Sequence, residues 1–211
     1  MRKKSHITLA RHILNVSEHE SFIHYKKAFY VGSILPDCKP TFLTRKHEIN
    51  GTINIVEKWI RRLTTEYDST DRMKTRYFRK LGEVLHYVAD YFTYPHNKEY
   101  PEGFTGHCFY EGELKHKLRA YVRQLNEKDI NNWKNRIKLE KLEEFNDTED
   151  IIAYIKREHD AYIKRYDHNV DEDCKYIVGV CSRVAFAILY VCERNMENLM
   201  TAFESEKDNR E

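Results

Sequence analysis

Few residues in this sequence interrupt helices, since 7 glycines and 4 prolines occur among 211 residues. Long segments without these residues, with apolar side chains at helical spacing, are typical of α-helices. No apolar run of about 18 residues occurs, so the sequence predicts no membrane-spanning segment. We therefore expect an all-α protein folded as a single-domain bundle of several helices.

The 5 cysteines are odd in number and form no CxxC pair. This pattern predicts neither a disulfide framework nor a thiolate zinc site, and free thiols are typical of a reducing compartment. The basic start MRKK is not followed by the 7–15 apolar residues that a signal peptide requires. We accordingly expect a cytoplasmic protein.

The sequence also lacks a strong excess of charge of either sign, with 36 Lys and Arg against 34 Asp and Glu. Dedicated nucleic-acid-binding domains are usually much more basic. Clusters of basic residues at 61–62, 76–80 and 115–123 are separated by segments that contain acidic residues, which favours solvated helix faces. Contact of these clusters with a phosphate-rich substrate or a membrane surface stays open as the alternative.

Apolar periodicity and capping residues predict a series of helices. The N-terminus of the second helix is signalled by Ser17 and Glu20, which form a capping-box pattern. The last helix has apolar residues on more than one side, so we expect it to lie at the centre. The predicted helices span residues 5–15, 17–30, 49–67, 72–93, 107–126, from a cap at 146–150 to 167, and 172–205. Together they form one helical domain, 1–205, followed by a polar tail, 206–211.

The fourth predicted helix carries an unusual pair of polar residues on its apolar side. His86 and Asp90 are four residues apart, so their side chains converge on one face. Gly82 lies one turn before them, where we expect it to leave room in front of His86. Pro95 then ends the helical pattern, and His96 follows directly. A buried carboxylate requires a compensating partner, and a metal ion is the candidate that these histidines suggest.

Similar residues occur elsewhere in the chain. His107 and Glu111 are again four residues apart on the next helix, and Asp37, His47 and His6 lie upstream. Imidazole and carboxylate ligands without thiolate are typical of catalytic zinc sites. Eight ligands exceed the needs of one ion and suit a cluster of two or three ions, with one carboxylate as a bridge. The candidate ligands are His6, Asp37, His47, His86, Asp90, His96, His107 and Glu111.

The segments GSILPD, LHYVADYFTYPH and HCFYE, in this order, resemble the bacterial zinc-dependent phospholipase C family, which belongs with the S1/P1-type nucleases. The resemblance implies that Asp37, His47, His86 and Asp90 hold one zinc ion. It implies a second ion on His96, His107 and Glu111, and a third that shares Asp90 with His6. Asp90 would bridge two ions, and Asp37 would act as a ligand and as the catalytic general base.

One part of the pattern differs from the family. Secreted members expose an N-terminal tryptophan whose amine and carbonyl bind the third zinc ion, ten or more residues before the histidine that matches His6. Here five residues precede His6 and none is tryptophan. The third site is therefore expected to be incomplete or completed by water. The C-terminal β-sandwich of some toxins in the family is not part of this sequence.

The predicted activity is a zinc-dependent phosphodiesterase of the phospholipase C type, in which zinc-bound hydroxide attacks the phosphorus of a phospholipid. Peripheral contact with a membrane is compatible with this activity, and we expect a monomer. Two alternatives stay open: an S1/P1-type nuclease acting on single-stranded nucleic acid, and a metal-binding module without catalysis.

Other aromatic and histidine residues are given ordinary roles. Six aromatic residues flank the candidate ligands, where they pack the site or line a pocket for a choline or nucleobase group. They are Tyr87, Tyr91, Tyr94, Phe104, Phe109 and Tyr110. We expect His12 in a surface or packing role. His19, His24, His116, His159 and His168 are expected to be exposed or to cap helices.

Overall fold

The computed structural model describes residues 1–17, 19–39, 47–65, 71–97, 103–128, 142–165 and 169–208. Within these ranges the chain forms α-helices and two short 3-10 turns and contains no β-strand, so the all-α prediction is confirmed. The 3-10 turns are Pro36–Cys38 and Tyr94–His96. The helices are α1 (Lys3–Val16), α2 (Glu20–His24), α3 (Lys26–Ile34), α4 (Ile49–Thr65), α5 (Asp71–Tyr91), α6 (Phe104–Lys128), α7 (Thr148–Arg165) and α8 (Val170–Asp208).

Two helices form the centre of the bundle. α5 packs against α3, α4 and α8, and α8 packs in addition against α6 and α7. The apolar residues of α5 from Leu81 to Tyr91 are buried, as are those of α8 from Cys174 to Cys192 except the half-buried Tyr176 and Tyr190. α1 lies across α3 and α6 and buries the stripe that contains Leu9 and Ile13. The burial of α8 agrees with its predicted central position.

Glycines allow α3 and α5 to pack unusually closely. A Cβ atom on Gly82 of α5 would lie 2.4 Å from the carbonyl oxygen of Phe29, and one on Gly32 of α3 would lie 1.9 Å from the carbonyl oxygen of Arg79. Real Cβ atoms do not approach backbone atoms so closely, so only glycine fits at these two positions. The expectation that Gly82 leaves open room in front of His86 therefore needs correction, because the backbone of α3 fills that space.

The helix termini differ from the prediction in several places. The predicted cap at Ser17 is wrong: His19 caps α2, and its Nδ1 atom accepts a hydrogen bond from the backbone N–H of Phe22 at 3.2 Å. The predicted second helix is divided at Tyr25 into α2 and α3. α6 begins at Phe104, three residues before the predicted start. Residues 66–70, 98–102, 166–168 and 40–46, on which parts of the predicted helices and loops fall, lie outside the described residues.

The last turns of α8 leave the core. Leu199 is 67% exposed and Phe203 is 73% exposed, although both continue the apolar spacing of the helix. α8 extends to Asp208, three residues into the segment predicted as a polar tail, and residues 209–211 are not described. In the described chain, α8 is the one helix long and apolar enough to cross a membrane, but 72% of its apolar stretch is buried inside the protein. Such burial is typical of a core helix.

Candidate metal centre

Six elements bring the predicted ligands into one cluster. His6 comes from α1, Asp37 from the first 3-10 turn and His47 from the residues before α4. α5 contributes two ligands, the second 3-10 turn contributes one, and α6 contributes two. The donor atoms form three groups within which all atoms lie within 4.8 Å of one another: His6, Asp37 and His86; His47, His86 and Asp90; and His96, His107 and Glu111.

The carboxylate of Asp90 lies at the centre of this cluster and is fully buried. Its Oδ2 atom is 2.8 Å from His47 Nδ1 and 3.4 Å from His86 Nε2. Its Oδ1 atom faces the other side, 3.4 Å from His6 Nε2. The two oxygens thus face different imidazoles, which is the arrangement that a bridging carboxylate requires.

His86 is held in one orientation by the backbone of α3. Its Nδ1 atom lies 2.8 Å from the carbonyl oxygen of Ser33. Because a carbonyl oxygen only accepts hydrogen bonds, Nδ1 carries the proton and Nε2 presents its lone pair to the cluster. Nε2 lies 3.5 Å from Asp37 Oδ1. Burial and the neighbouring His6 hold the pKa of His86 well below its usual range, so the imidazole is neutral at pH 7.

His6 stacks on His86, with ring centroids 3.8 Å apart and an angle of 15° between the ring planes. The side chain of His6 is buried, and its Nε2 atom has no hydrogen-bond partner within the described parts of the chain. A buried nitrogen without a partner carries an unfavourable desolvation cost. A metal ion bound between His6 and its neighbours would satisfy this atom.

The turn that carries His96 is fixed from two sides. Asn97 donates hydrogen bonds from Nδ2 to the carbonyl oxygens of Tyr91 and Thr93, at 3.2 and 3.0 Å. Its Oδ1 atom accepts a hydrogen bond from Nε2 of His159 on α7, at 2.8 Å. These bonds reverse the chain directly after α5, so that His96 faces the cluster.

On the other side, the backbone N–H of Tyr94 donates to the hydroxyl of Tyr110 on α6 at 3.3 Å. This hydroxyl donates in turn to the carboxylate of Asp173 on α8. Tyr162 of α7 donates a second hydrogen bond to the same carboxylate at 2.8 Å. Three helices therefore hold the segment between α5 and His96, and Pro95 is one part of a larger support.

Sequence reasoning missed the role of His159. The sequence predicts an exposed or helix-capping residue, but His159 lies inside α7 and is only 8% exposed. The sequence contains a signal for its burial, because His159 continues the buried stripe of Ile152, Ile155 and Tyr162 on α7.

The prediction for His12 included packing, and His12 is buried. The tyrosines Tyr87, Tyr91 and Tyr94 are buried as well, which agrees with packing around the site, whereas Phe109 is 77% exposed and does not pack there.

The α-amino group of Met1 lies among the candidate ligands. Its nitrogen is 2.6 Å from Asp90 Oδ1, 3.4 Å from Glu111 Oε1 and 3.2 Å from His96 Nε2. Burial alone would lower the pKa of this ammonium, but the two carboxylates raise it above its usual value. Burial raises the pKa of Asp90, but the same ammonium together with His96, His6 and His86 outweighs this effect and holds the pKa well below its usual range. A backbone amine therefore stands near the position at which the family resemblance implies a third site.

The chemistry of these donors fits zinc. Each group combines imidazole nitrogen with carboxylate oxygen at separations that a single ion spans, and zinc accepts both donor types. The third group contains the residues that the resemblance assigns to a second ion. The other five candidate ligands are grouped differently from the assignment that the resemblance implies. Asp37 lies with His6 and His86 rather than beside His47. The clusters are compatible with zinc binding.

The cluster opens to solvent through a cavity of about 460 Å³. Asp37 and Glu111 reach this opening from the cluster, and Arg2, Lys3, Lys4 and Lys115 surround it. In the protein without metal, burial and the nearby Asp90 raise the pKa of Asp37 against the effect of His6. An anionic group that enters the cavity meets four cationic side chains before it reaches the ligands.

A family model described as zinc dependent phospholipase C matches residues 5–169 of the chain. A search of curated proteins and a search of solved structures found no match. The matched region contains each of the eight candidate ligands and ends just before α8.

Proposed function

Because the chain belongs to the zinc-dependent phospholipase C family, we propose that it cleaves the phosphodiester bond between the glycerol and the head group of a phospholipid. The family is one of metal-dependent phospholipid hydrolases. The observation that carries the proposal is the convergence of eight imidazole and carboxylate side chains from six elements below a cationic cavity. We propose two or three zinc ions in this cluster.

Zinc ions in such a cluster lower the pKa of water to about 7 and neutralise charge that develops on phosphate oxygens. The protein residues have distinct tasks. Asp90 joins the ligand groups, because its two oxygens face opposite sides. Ser33 holds the lone pair of His86 towards the cluster through its carbonyl oxygen. The buried side chains around Asp90 exclude bulk water from that part of the site.

Asp37 is the proposed general base. It is the carboxylate that lies both at the cavity opening and next to His86 Nε2. In the reaction, the oxygen of water forms a bond to phosphorus while the bond from phosphorus to the glycerol oxygen breaks. Asp37 takes the proton of the attacking water, and the leaving glycerol oxygen receives a proton to give diacylglycerol. The other product is the phosphorylated head group.

The cations at the opening support a phosphate-bearing substrate. Lys3, Lys4 and Lys115 line the cavity on the side of α1 and α6. Lysine ammonium groups bind phosphate oxygens as point charges. We propose that they orient the phosphodiester before hydrolysis.

The test combines metal analysis with a panel of substrates. We expect at least two zinc ions per chain after purification with zinc, and hydrolysis of phosphatidylcholine or another phospholipid without cleavage of single-stranded DNA. Replacing His107 with Gln should remove one zinc ion and reduce kcat/KM by at least about 100-fold. His116→Gln is the matched control, because His116 lies on the same helix and is exposed.

The alternatives give different results in this assay. Cleavage of single-stranded DNA but not of phospholipids would support the nuclease. Zinc binding without hydrolysis of any phosphodiester would support the non-catalytic module. Less than one zinc ion per chain would refute the proposed cluster. The monomeric state and the cytoplasmic location stay predictions from the sequence.

A further inference from the structure

A groove between α1 and α6 lies beside the cavity of the candidate metal centre. It has a volume of about 490 Å³. Its floor consists of Ile7, Ile34 and Val122, which are half-buried or buried. The groove shares Lys3 and Lys4 with the neighbouring cavity, so the two form one continuous surface.

The rim of this groove is strongly cationic. The lining residues that the structure describes include no carboxylate. The whole chain has a formal net charge of +2, so this concentration of positive charge is local. All of the cationic side chains are exposed. They are Lys3, Lys4, Arg11, Arg119 and Arg123.

An apolar floor with a cationic rim favours an amphiphilic anion. Acyl chains fit against the three aliphatic side chains, and lipid phosphates fit against the lysine and arginine groups. Single-stranded nucleic acid usually requires aromatic side chains on which the bases stack. Among the described residues that line the groove none is aromatic, so its chemistry does not favour this partner.

We propose that this groove, together with the shared lysines, is a docking face for a membrane surface that contains anionic phospholipid. The inference extends the proposed function, since docking here would place the cavity opening at the surface of its lipid substrate. Each basic residue near an anionic membrane contributes about a fivefold increase in binding. Two charge-removing substitutions should therefore weaken binding about 25-fold.

Vesicle flotation tests the docking face. The zinc-loaded protein is mixed with vesicles of phosphatidylcholine alone or with phosphatidylglycerol, at low and at high salt. We expect binding to the phosphatidylglycerol vesicles, weakened by salt. The variant Arg11→Gln/Arg119→Gln, with one change on each helix, should bind about 25-fold more weakly and keep its zinc content. The control Lys164→Gln/Arg165→Gln removes the same charge from α7 and should change binding less than twofold.

Three results would overturn the docking face. One is equal binding to vesicles with and without phosphatidylglycerol. Another is an equal loss of binding in the control variant, which would indicate an effect of net charge alone. The third is tight binding of a single-stranded oligonucleotide that the double substitution removes. Phospholipid hydrolysis is measured separately on detergent-dispersed lipid, so a failure of the docking face and a failure of the proposed function are distinguished.

Discussion

The close packing of α3 on α5 predicts a specific effect of the substitution Gly82→Ala. The added Cβ atom would lie 2.4 Å from the carbonyl oxygen of Phe29 and 2.7 Å from the backbone nitrogen of Ser33. Both are backbone atoms, so no side-chain rotation relieves the contact, and α3 must move away from α5. This movement also shifts the Ser33 carbonyl oxygen from its position 2.8 Å from His86 Nδ1.

The expected magnitudes follow from these contacts. Overpacking in a tight core costs about 1–3 kcal/mol, and backbone contacts favour the upper part of this range. The higher helix propensity of alanine stabilises the variant by about 1 kcal/mol and offsets part of the overpacking cost. We therefore expect Gly82→Ala to lower the free energy of unfolding by about 1–2 kcal/mol. Loss of the hydrogen bond that orients His86 should in addition weaken zinc binding about 10- to 100-fold.

Urea unfolding of the zinc-free proteins and chelator competition for zinc measure the two effects. Gly179→Ala is the matched control, because Gly179 lies in α8 and a Cβ atom there meets nothing within 4 Å. That substitution should raise stability by up to about 1 kcal/mol. Unchanged stability and zinc affinity in Gly82→Ala would refute the argument. A fall in kcat/KM alone would instead support the earlier expectation that Gly82 provides access to His86.

Three further predictions concern other parts of the molecule. His159→Ala removes the hydrogen bond to Asn97, so zinc affinity should fall about 10-fold. If this bond acts by positioning the turn that carries His96, His159→Gln should partly restore the zinc affinity. A thiol reagent should label Cys38 and Cys108 in the native protein and all cysteines after unfolding, because burial raises the pKa of the three thiols in α8. A labelled α8 thiol in the native state would contradict this. Burial lowers the pKa of His96 from 6.5 to about 3, so below pH 6.5 the unfolded chain binds more protons than the folded one. Urea unfolding of the zinc-free protein should then show a stability loss at pH 5 of about 2 kcal/mol from His96, to which the lowered pKa of His86 adds in the same direction, and constant stability between pH 7 and 5 would oppose it.

The sequence predicts part of the site because some of its geometry is local. A spacing of four residues in a helix places His86 beside Asp90, and His107 beside Glu111, before any tertiary contact is known. Apolar periodicity similarly predicts the helices and the buried position of α8. Helical spacing does not show that the two pairs belong to one site. That inference comes from the order of several ligands along the chain, which resembles the order in a known family.

Other features depend on contacts between distant segments. The role of Gly82 depends on the backbone of α3, some 50 residues earlier, and helical spacing alone suggested open space. The hydrogen bond between His159 and Asn97 joins residues 62 positions apart. The amine of Met1 belongs to the backbone, so a search for side-chain ligands does not find it. In each case the missing information is the distance between two elements.

The charges of the cluster lead to a last prediction. Asp37, Asp90 and Glu111 carry three negative charges if ionised, and the ammonium of Met1 is the nearest cation, 2.6 Å from Asp90. Its pKa is raised above 8.0, so it is protonated at pH 7. An incoming zinc ion competes with this ammonium for the same carboxylates.

If the amine becomes a zinc ligand, it must lose its proton, because a ligand needs a free lone pair. The imidazoles of His86 and His96 are neutral at pH 7 and have no such proton to lose. Zinc titration by calorimetry, in buffers that differ in ionisation enthalpy, should therefore show about one proton released per chain that begins at Met1. Acetylation of the amine should abolish the release and leave fewer zinc ions bound. Zinc binding without proton release would mean that the ammonium stays charged and moves away from Asp90.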